Sequence, residues 1–218
     1  MGTRSTPGAL PARRGCLFIV SGPSGAGKTS ICTPALAVLQ QIELSVSTTT
    51  RSPRTTEREG VDYRFVSDGE FATMVARDAF AEWAEVHGKR YGTSRGALET
   101  RLAAGHDVLL DIDVQGARQI KAAYPDAVAI FLVPPSPEHI EQRLSARGTD
   151  SDETVKRRLS NACAEIARLP GYDYFIVNDD LEEAKDAFLA IVKAERQRTS
   201  RHVDASLEAF VRSFEQQS

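Results

Sequence analysis

Short apolar runs recur along the chain, and each is followed by a stretch with helical spacing. The runs lie at residues 16–20, 107–112, 128–133 and 174–177. Short runs rich in Val, Ile, Leu and Phe predict buried strands. Alternation of such strands with helices is typical of a parallel sheet. The pattern therefore predicts an α/β fold, in which a parallel sheet forms the core and helices cover both of its faces.

Helix starts are indicated by capping residues and by proline. The signals lie at Ser67 with Glu70, at Ser136 with Pro137, and at Asp150 with Glu153. A capping side chain and a glutamate three residues later satisfy two free N–H groups, and proline is favoured at the first helical position. Residues 28–41 form a further predicted helix, which Pro34 should kink or loosen because proline removes one helical hydrogen bond.

The length and composition fit one α/β domain with room for a lid. The chain has 218 residues, and 41% of them are hydrophobic, which is enough for a sizeable core. Residues 1–14 are poor in apolar residues, and we expect a disordered leader there. An amphipathic helix is expected over residues 198–218, where one apolar stripe contains Val203, Leu207, Phe210, Val211 and Phe214. We expect the stripe to pack on the core of its own domain, and a contact within a homo-oligomer is the alternative.

Charge, hydropathy and cysteine number exclude several classes of protein. The net charge of −3 gives no general attraction to nucleic acid, so we expect no nucleic-acid partner. We also expect no membrane partner, because no apolar run approaches the roughly 20 residues that cross a bilayer. Cys16, Cys32 and Cys163 are odd in number and lack metal-ligand spacing, which is typical of reduced thiols in a cytoplasmic protein.

A glycine-rich loop follows the first predicted strand and opens the first predicted helix. It contains Gly22, Pro23, Ser24, Gly25, Ala26, Gly27, Lys28 and Thr29, and Ser30 follows it. The glycines let successive N–H groups turn toward phosphate oxygens, and the positive end of the helix dipole adds to their attraction. Lys28 supplies a mobile charge for the β- and γ-phosphates, and Thr29 offers its hydroxyl to Mg²⁺. The loop therefore predicts a nucleoside triphosphate site that uses Mg²⁺.

A polar segment between residues 45 and 91 interrupts the alternation of strands and helices. Arg51 and Arg54 lie three positions apart in it. Two guanidinium groups can hold one phosphate from two sides, because each donates paired hydrogen bonds to phosphate oxygens. Tyr63 and Tyr91 could add phenolic donors. From charge alone, a solvated basic turn is the alternative for the two arginines.

Several blocks of sequence follow the glycine-rich loop in order: residues 47–54 (STTTRSPR), 60–66 (GVDYRFV), 80–84 (FAEWA), 91–94 (YGTS), 110–116 (LDIDVQG) and 176–180 (IVNDD). With the loop, they resemble the guanylate kinase family over roughly residues 16–197. The resemblance implies ATP-dependent phosphorylation of GMP to GDP, and dGMP would fit nearly as well. It also implies a domain at residues 15–197, with a GMP-binding segment at about 45–95 and a lid at about 137–160.

The resemblance assigns GMP binding to Ser47, Arg51, Arg54, Tyr63, Glu82, Tyr91, Thr93 and Asp113. The arginines and tyrosines would hold the phosphate, and the two hydroxyls would reach the guanine O6 atom. Glu82 would accept hydrogen bonds from the guanine N1–H and 2-amino groups. Adenine presents an acceptor at N1 and no 2-amino group, and a buried site left unpaired in that way discriminates strongly. From Glu82 alone, an ordinary surface carboxylate is the alternative.

The resemblance assigns the chemistry to Lys28, Asp111, Arg147 and Arg158. The two arginines would lie in the lid and close over the phosphates, because phosphoryl transfer loads charge on the equatorial oxygens. Asp111 would reach Mg²⁺ through water, and Thr29 would bind the ion directly. We expect Asp111 and Asp113 to point to opposite faces at a strand end and to serve different nucleotides.

Three residues depart from the usual pattern of the family. Thr56 replaces a usual glycine, Arg90 replaces a usual aromatic residue beside Tyr91, and Pro34 lies inside the first predicted helix. Arg90 could add to the field at the phosphate or remain solvated. Two other functions stay open. One is a scaffold module of the same fold, which would lack a working glycine-rich loop, and the other is a related kinase for a different phosphorylated small molecule.

Overall fold

The computed structural model describes residues 12–86, 88–140 and 152–215. This part of the chain contains nine strands: β1 (Leu17–Ser21), β2 (Ile42–Leu44), β3 (Thr48–Thr49), β4 (Arg64–Phe65), β5 (Phe80–Val86), β6 (Lys89–Ser94), β7 (Asp107–Asp111), β8 (Val128–Val133) and β9 (Tyr174–Val177). It also contains seven α-helices: α1 (Lys28–Val38), α2 (Asp68–Ala76), α3 (Arg95–Ala103), α4 (Val114–Ala123), α5 (Asp152–Ile166), α6 (Leu181–Arg196) and α7 (Asp204–Glu215).

Five of the strands form the central sheet, in the spatial order β2-β7-β1-β8-β9, and all of its neighbouring strands are parallel. Alternate residues of β1 point to opposite faces, as the pleat of a strand requires. Phe18 packs with residues of α1 and α6, and Ile19 packs with residues of α3 and α4. The predicted α/β fold with helices on both faces is confirmed.

A second sheet lies in the polar segment, in the order β4-β3-β6-β5. Its β5 and β6 form an antiparallel hairpin, and β3 pairs antiparallel with β6. Helix α2 begins with the predicted capping box, in which Ser67 and Glu70 each accept a hydrogen bond from the other's backbone N–H. Phe71 of this helix is fully buried against Phe80, and their ring centroids lie 4.6 Å apart. The segment at about residues 45–95, where GMP binding is expected, therefore has a small hydrophobic core of its own.

Helix α1 is shorter than predicted. It includes Pro34 but ends at Val38, because Leu39 adopts an extended conformation and Gln41 has a positive φ of 57°. The chain then enters the short strand β2, which we did not predict. Pro34 thus lies inside the helix without ending it.

The two ends of the described chain pair with each other. Arg13 forms a β-bridge with His202, and the N–H of Arg14 donates to the carbonyl of Arg201 at 3.0 Å. We expected residues 1–14 to be disordered, but residues 12–14 are held by these bonds. Residues 1–11 lie outside the described part. In the expected C-terminal helical segment, the described helix is α7.

The expected apolar stripe is only partly packed, because Leu207 and Phe210 are half-buried and the other three residues are exposed. Val203, Val211 and Phe214 are 49%, 51% and 62% exposed.

Within the described ranges, no helix is long and apolar enough to cross a membrane.

The start of the expected lid is helical at residues 137–140, as the Ser136–Pro137 signal predicts. Residues 141–151 are not described, so the predicted cap at Asp150 lies outside the described residues. The chain resumes in α5, and β9 follows it.

Candidate functional site

The glycine-rich loop connects the buried end of β1 to the first turn of α1. Gly25 and Gly27 have φ angles of 86° and 89°, which side chains rarely adopt. A Cβ atom at Gly27 would also lie 2.2 Å from Nδ2 of Asn178. Asn178 follows β9, is buried, and donates from Nδ2 to the carbonyl of Ala26 at 2.7 Å. The asparagine therefore fixes the loop from the neighbouring end of the sheet, a role that we did not predict.

The loop lines a cavity of about 770 Å³, the donor cavity. Its lining residues are Pro23, Ser24, Gly25, Ala26, Gly27, Lys28, Thr29, Ser30, Tyr63, Asp111, Asn178, Asp179 and Leu181. The cavity faces the N-terminus of α1, where free N–H groups and the helix dipole favour an anion. Its volume and its donors are suited to a nucleoside triphosphate.

Lys28 and Asp111 face each other at the inner end of this cavity. Nζ of Lys28 donates to the carbonyl of Gly22 at 2.8 Å and lies 3.9 Å from Oδ1 of Asp111. Burial raises the pKa of Asp111, and the charge of Lys28 opposes that shift. A cation near Asp111 therefore favours its ionised form.

A second cavity of about 320 Å³, the acceptor cavity, adjoins the first. Its lining residues are Gly22, Ser24, Lys28, Ser47, Tyr63, Glu82, Ala84, Val86, Tyr91, Asp111, Ile112, Asp113 and Glu165. Four residues line both cavities: Ser24, Lys28, Tyr63 and Asp111. The donor and acceptor cavities therefore meet at the lysine and the aspartate.

Glu82 lies on β5 and lines the acceptor cavity. It is 4% exposed, and Oε1 accepts a hydrogen bond of 2.6 Å from the hydroxyl of Thr93, its partner across the hairpin. A Cβ atom at position 116 would lie 2.6 Å from Oε2 of Glu82, so glycine in α4 leaves room for the carboxylate. Burial raises the pKa of Glu82 to about 7, the nearby Asp113 adds to the rise, and the bond from Thr93 opposes it. Glu82 is thus a buried group, unlike the surface carboxylate considered as its alternative.

Arg51 is held in a fixed orientation beside Tyr63, although Arg51 itself lines neither cavity. Its Nη2 donates to Oε1 of Glu57 at 2.7 Å, and its Nη1 donates to the carbonyl of Ser52 at 2.8 Å. The centre of its guanidinium lies 5.2 Å from the ring centroid of Tyr63, within cation–π range. Glu57 also accepts from the backbone N–H of Arg54 at 2.8 Å, so it braces the turn that carries both arginines. We did not predict this role of Glu57.

Asp111 and Asp113 do not point to opposite faces, and that expectation was wrong. Strand β7 ends at Asp111, and Asp113 caps α4 by accepting from the N–H of Gly116 at 2.8 Å. Residues two apart along an extended chain share a face, and both carboxylates line the acceptor cavity.

Of the three remaining predicted site residues, the structure describes the side chain of Arg54 but not those of Arg147 and Arg158. The side chain of Arg54 is 76% exposed and lines neither cavity. Arg147 lies outside the described residues, and Arg158 belongs to α5 but its side chain lies outside the described part. Glu165 of the same helix was not predicted, and it lines the acceptor cavity, where burial raises its pKa.

Comparison with known proteins gives one consistent result. A family model described as guanylate kinase matches residues 14–195. A guanylate kinase of Geobacter sulfurreducens is 49% identical over 198 residues, which cover 91% of this chain and 98% of the relative. One of Anaeromyxobacter dehalogenans is 54% identical over 186 residues, covering 84% and 82%. The crystal structure of guanylate kinase from Anaplasma phagocytophilum is 35% identical with a TM-score of 0.72, and the match covers 89% of this chain and 93% of that one.

Proposed function

Because this chain belongs to the guanylate kinase family, it phosphorylates GMP to GDP with ATP, and we propose that the two joined cavities are the place where it does so. The observation that carries this proposal is their meeting at Lys28 and Asp111, with the buried Glu82 among the lining residues of the acceptor cavity alone. ATP in the donor cavity and GMP in the acceptor cavity would place their phosphates at this junction. The reaction then depends mainly on bringing two anionic groups into line.

At the donor end, the backbone of the glycine-rich loop and the N-terminus of α1 bind the phosphates of ATP. Lys28 lies between the two nucleotides and stabilises the charge of the transferred phosphoryl group. Its salt-bridge distance of 3.9 Å to Asp111 leaves its ammonium group available for phosphate oxygens.

At the acceptor end, Glu82 reads the guanine base. Its ionised carboxylate accepts from N1–H and the 2-amino group, and the hydroxyl of Ser47 faces O6. The hydroxyl of Thr93 has one proton, so it would have to give up its bond to Glu82 to donate to O6. Nothing in this set reads the 2′-hydroxyl of the ribose, and we therefore propose dGMP as a second substrate.

Four side chains form the proposed phosphate clamp: Arg51, Arg54, Tyr63 and Tyr91. The guanidinium of Arg51 is already oriented by Glu57 and by the ring of Tyr63, so little side-chain entropy is lost when the phosphate binds. The exposed Arg54 would turn inward from the same loop. Asp113 supports this end of the site by capping α4 and by facing the acceptor cavity.

In the reaction, an oxygen of the GMP phosphate attacks the γ-phosphorus of ATP, and ADP leaves. The attacking oxygen is already anionic, so the site needs no general base. Arg147 and Arg158 are proposed to bring further positive charge from the lid when it closes, which stabilises the equatorial oxygens and excludes water.

Mg²⁺ is the proposed cofactor. The hydroxyl of Thr29 and the carboxylate of Asp111 both line the donor cavity. These oxygen groups fit Mg²⁺, which keeps most of its waters and takes one or two protein ligands beside the phosphates. Among the described residues, no group of three or more His, Cys, Asp or Glu could hold a metal. In the proposed reaction the ion arrives bound to ATP, where it would neutralise charge on the β- and γ-phosphates.

We also propose a cytoplasmic location. Cys16, Cys32 and Cys163 are all free, and two of them are buried in the core. Reduced thiols are usual in the cytoplasm.

Replacement of Glu82 by glutamine tests the acceptor site. In the variant, the NH₂ group of the glutamine side chain would face a guanine N–H group, so two donors would meet without an acceptor. We therefore expect the KM for GMP to rise by about 100-fold, while the KM for ATP stays the same. The matched control is Glu85→Gln, because Glu85 is an exposed residue on the same strand and lines neither cavity. Equal changes in the two KM values would argue against the guanine role of Glu82.

A further inference from the structure

Arg90 joins three elements of the GMP-binding segment at one point. From β6, its Nη2 donates to Oδ1 of Asp68 at 2.6 Å and to the carbonyl of Asp68 at 2.8 Å, in the first turn of α2. Its guanidinium carbon lies 5.0 Å from the ring centroid of Phe71 on the same helix. Phe71 is part of the small core of this segment, where it stacks on Phe80. The side chain of Arg90 therefore attaches α2 to β6.

The backbone of Arg90 is bonded to the strand that leads into the phosphate clamp. Its N–H donates to the hydroxyl of Thr50 at 3.1 Å, and its carbonyl accepts from the N–H of Thr50 and the hydroxyl of Thr49, each at 3.0 Å. The same Thr49 hydroxyl accepts from the N–H of Arg51 at 3.1 Å. Arg90 thus connects α2 to the backbone that carries two clamp residues: Arg51, which follows the bonded Thr50, and Tyr91, which follows Arg90 in β6.

We propose that Arg90 is a positioning residue for the GMP phosphate, which acts through Arg51 and Tyr91 by fixing β3 and β6 to α2. This role rests on the proposed phosphate clamp. The guanidinium of Arg90 is paired with Asp68, and neither residue lines a cavity. Simple solvation, one of the two expectations for Arg90, is wrong, because the side chain is 23% exposed and paired with Asp68. The other expectation, a contribution to the field at the phosphate, stays a prediction.

The chemistry of an arginine suits this position. Its planar group donates to two oxygens of Asp68 and covers the ring of Phe71 at the same time. The first turn of a helix favours the negative charge of Asp68, and the bond from Arg90 lowers the pKa of this carboxyl. An aromatic residue at position 90 could cover Phe71 but would leave the helix start without its cationic partner.

Arg90→Met is the test variant, because methionine keeps an apolar stem over Phe71 and removes the charge and the donors. We expect the Kd for GMP, measured by calorimetry, to rise about tenfold, since a small displacement of phosphate-binding groups weakens their contacts. The Kd for guanosine, which has no phosphate, and the KM for ATP should stay the same. A residue that only stabilised the fold would change GMP and guanosine binding together.

Arg95→Met is the matched control. Arg95 donates to Oδ1 of Asp78 at 3.1 Å and also to the carbonyl of Phe80 at 2.8 Å, but it lies at the other end of α2. We expect the ratio of GMP to guanosine affinity to be unchanged in this variant. Asp68→Asn should reproduce the effect of Arg90→Met, and the double variant should show no further loss if the two residues act as one unit.

Two outcomes would overturn the role of Arg90: equal weakening of GMP and guanosine, or additive effects of the Asp68 and Arg90 substitutions. Arg51→Met separates this inference from the proposed function. If Arg51→Met abolishes the preference for GMP over guanosine and Arg90→Met leaves it intact, the clamp stands and the role of Arg90 is wrong. If the unmodified protein itself shows no such preference, the clamp is wrong and the role of Arg90 falls with it.

Discussion

Burial alters the protonation of Glu82. Its pKa is raised to about 7, first by desolvation and then by the charge of Asp113, although the hydroxyl of Thr93 donates to it. A carboxyl with this pKa is about half protonated at neutral pH. Only the ionised form can accept both guanine donors, so the proposed role of Glu82 links binding of the base to loss of this proton.

The pH dependence of guanosine binding tests this linkage. Because the pKa of Glu82 is raised, the fraction of ionised carboxylate falls about tenfold between pH 8 and pH 6. We therefore expect the Kd for guanosine to rise by about the same factor as the pH is lowered. Guanosine is used because it has no phosphate that titrates in this range. Glu82→Gln should remove the dependence, and a flat profile of the unmodified protein would contradict the assignment.

Lys28 carries a second prediction. We expect Lys28→Met to lower kcat by at least about 1000-fold, because the transition state loses its nearest charge at the junction of the cavities. GMP should still bind, since Glu82 and Arg51 are the residues proposed to hold its base and its phosphate. Lys28 lines both cavities, so a modest change in GMP affinity is expected as well. Complete loss of GMP binding in the folded variant, measured by calorimetry, would show that this division of roles is wrong.

The sequence predicts the residue types of the site better than their partners. Lys28, Glu82 and Asp111 are recognisable because each belongs to a motif. The interpretation of Glu57 rests on its contact with Arg51, and that of Arg90 rests on its contact with Asp68. These contacts form only when a loop and a hairpin are folded, and local sequence patterns do not specify either one. The expectation that Asp111 and Asp113 point to opposite faces was mistaken because residues two apart along an extended chain share a face, and both residues line the acceptor cavity.

At the scale of the elements, the glycine-rich loop depends on its neighbour β9. Asn178 fixes the carbonyl of Ala26 from the end of that strand, and the space beside it exists because residue 27 has no side chain. Loop, strand end and helix start are therefore one structural unit.

Gly27→Ala tests this unit. The methyl group would contact Asn178 and the backbone φ of 89° would be strained, so we expect the KM for ATP to rise about tenfold. Gly88→Ala is the control, because Gly88 has a φ of 71° but open space around it. Similar effects of both substitutions on the KM for ATP would mean that the contact with Asn178 is unimportant.

The elements that the sequence predicts well are the long apolar strands and the capped helix. Strands β8 and β9 have the predicted bounds because continuous apolar runs are specific to buried parallel strands. The short strands β2, β3 and β4 were not predicted, since two or three residues contain no period. Their pairing is decided by the surrounding tertiary structure.

At the scale of the whole molecule, ion pairs of buried carboxylates connect the N-terminal segment and α6 to the sheet. They lie at the end of the strands opposite the site. Asp107, the first residue of β7, is fully buried and accepts from Arg13 at 2.5 Å, from Arg196 at 2.6 Å and from the N–H of Cys16 at 2.8 Å. Glu195 is 2% exposed and accepts from Tyr174 at 2.7 Å. These bonds hold residues 12–16 and α6 to the core.

Asp107→Asn should destabilise the protein strongly without altering the chemistry. Removal of the carboxylate leaves two partly buried arginines without their shared partner, and we expect the free energy of unfolding to fall by about 3–5 kcal/mol. The KM values for ATP and GMP should not change, because the site lies at the other end of β7. Urea denaturation provides the measurement, and Asp126→Asn on the exposed surface is the control. A loss below about 1 kcal/mol would contradict the structural role of Asp107.

The central claim is that one molecule joins an ATP site to a guanine-specific acceptor site. The most direct test measures ADP production in a coupled assay with ATP and Mg²⁺, with GMP, dGMP, AMP, CMP, UMP and dTMP offered separately at the same concentration. We predict turnover with GMP and dGMP alone, because only guanine matches the carboxylate of Glu82. Turnover with another base at a comparable rate, or none with folded protein that binds GMP, would contradict this account.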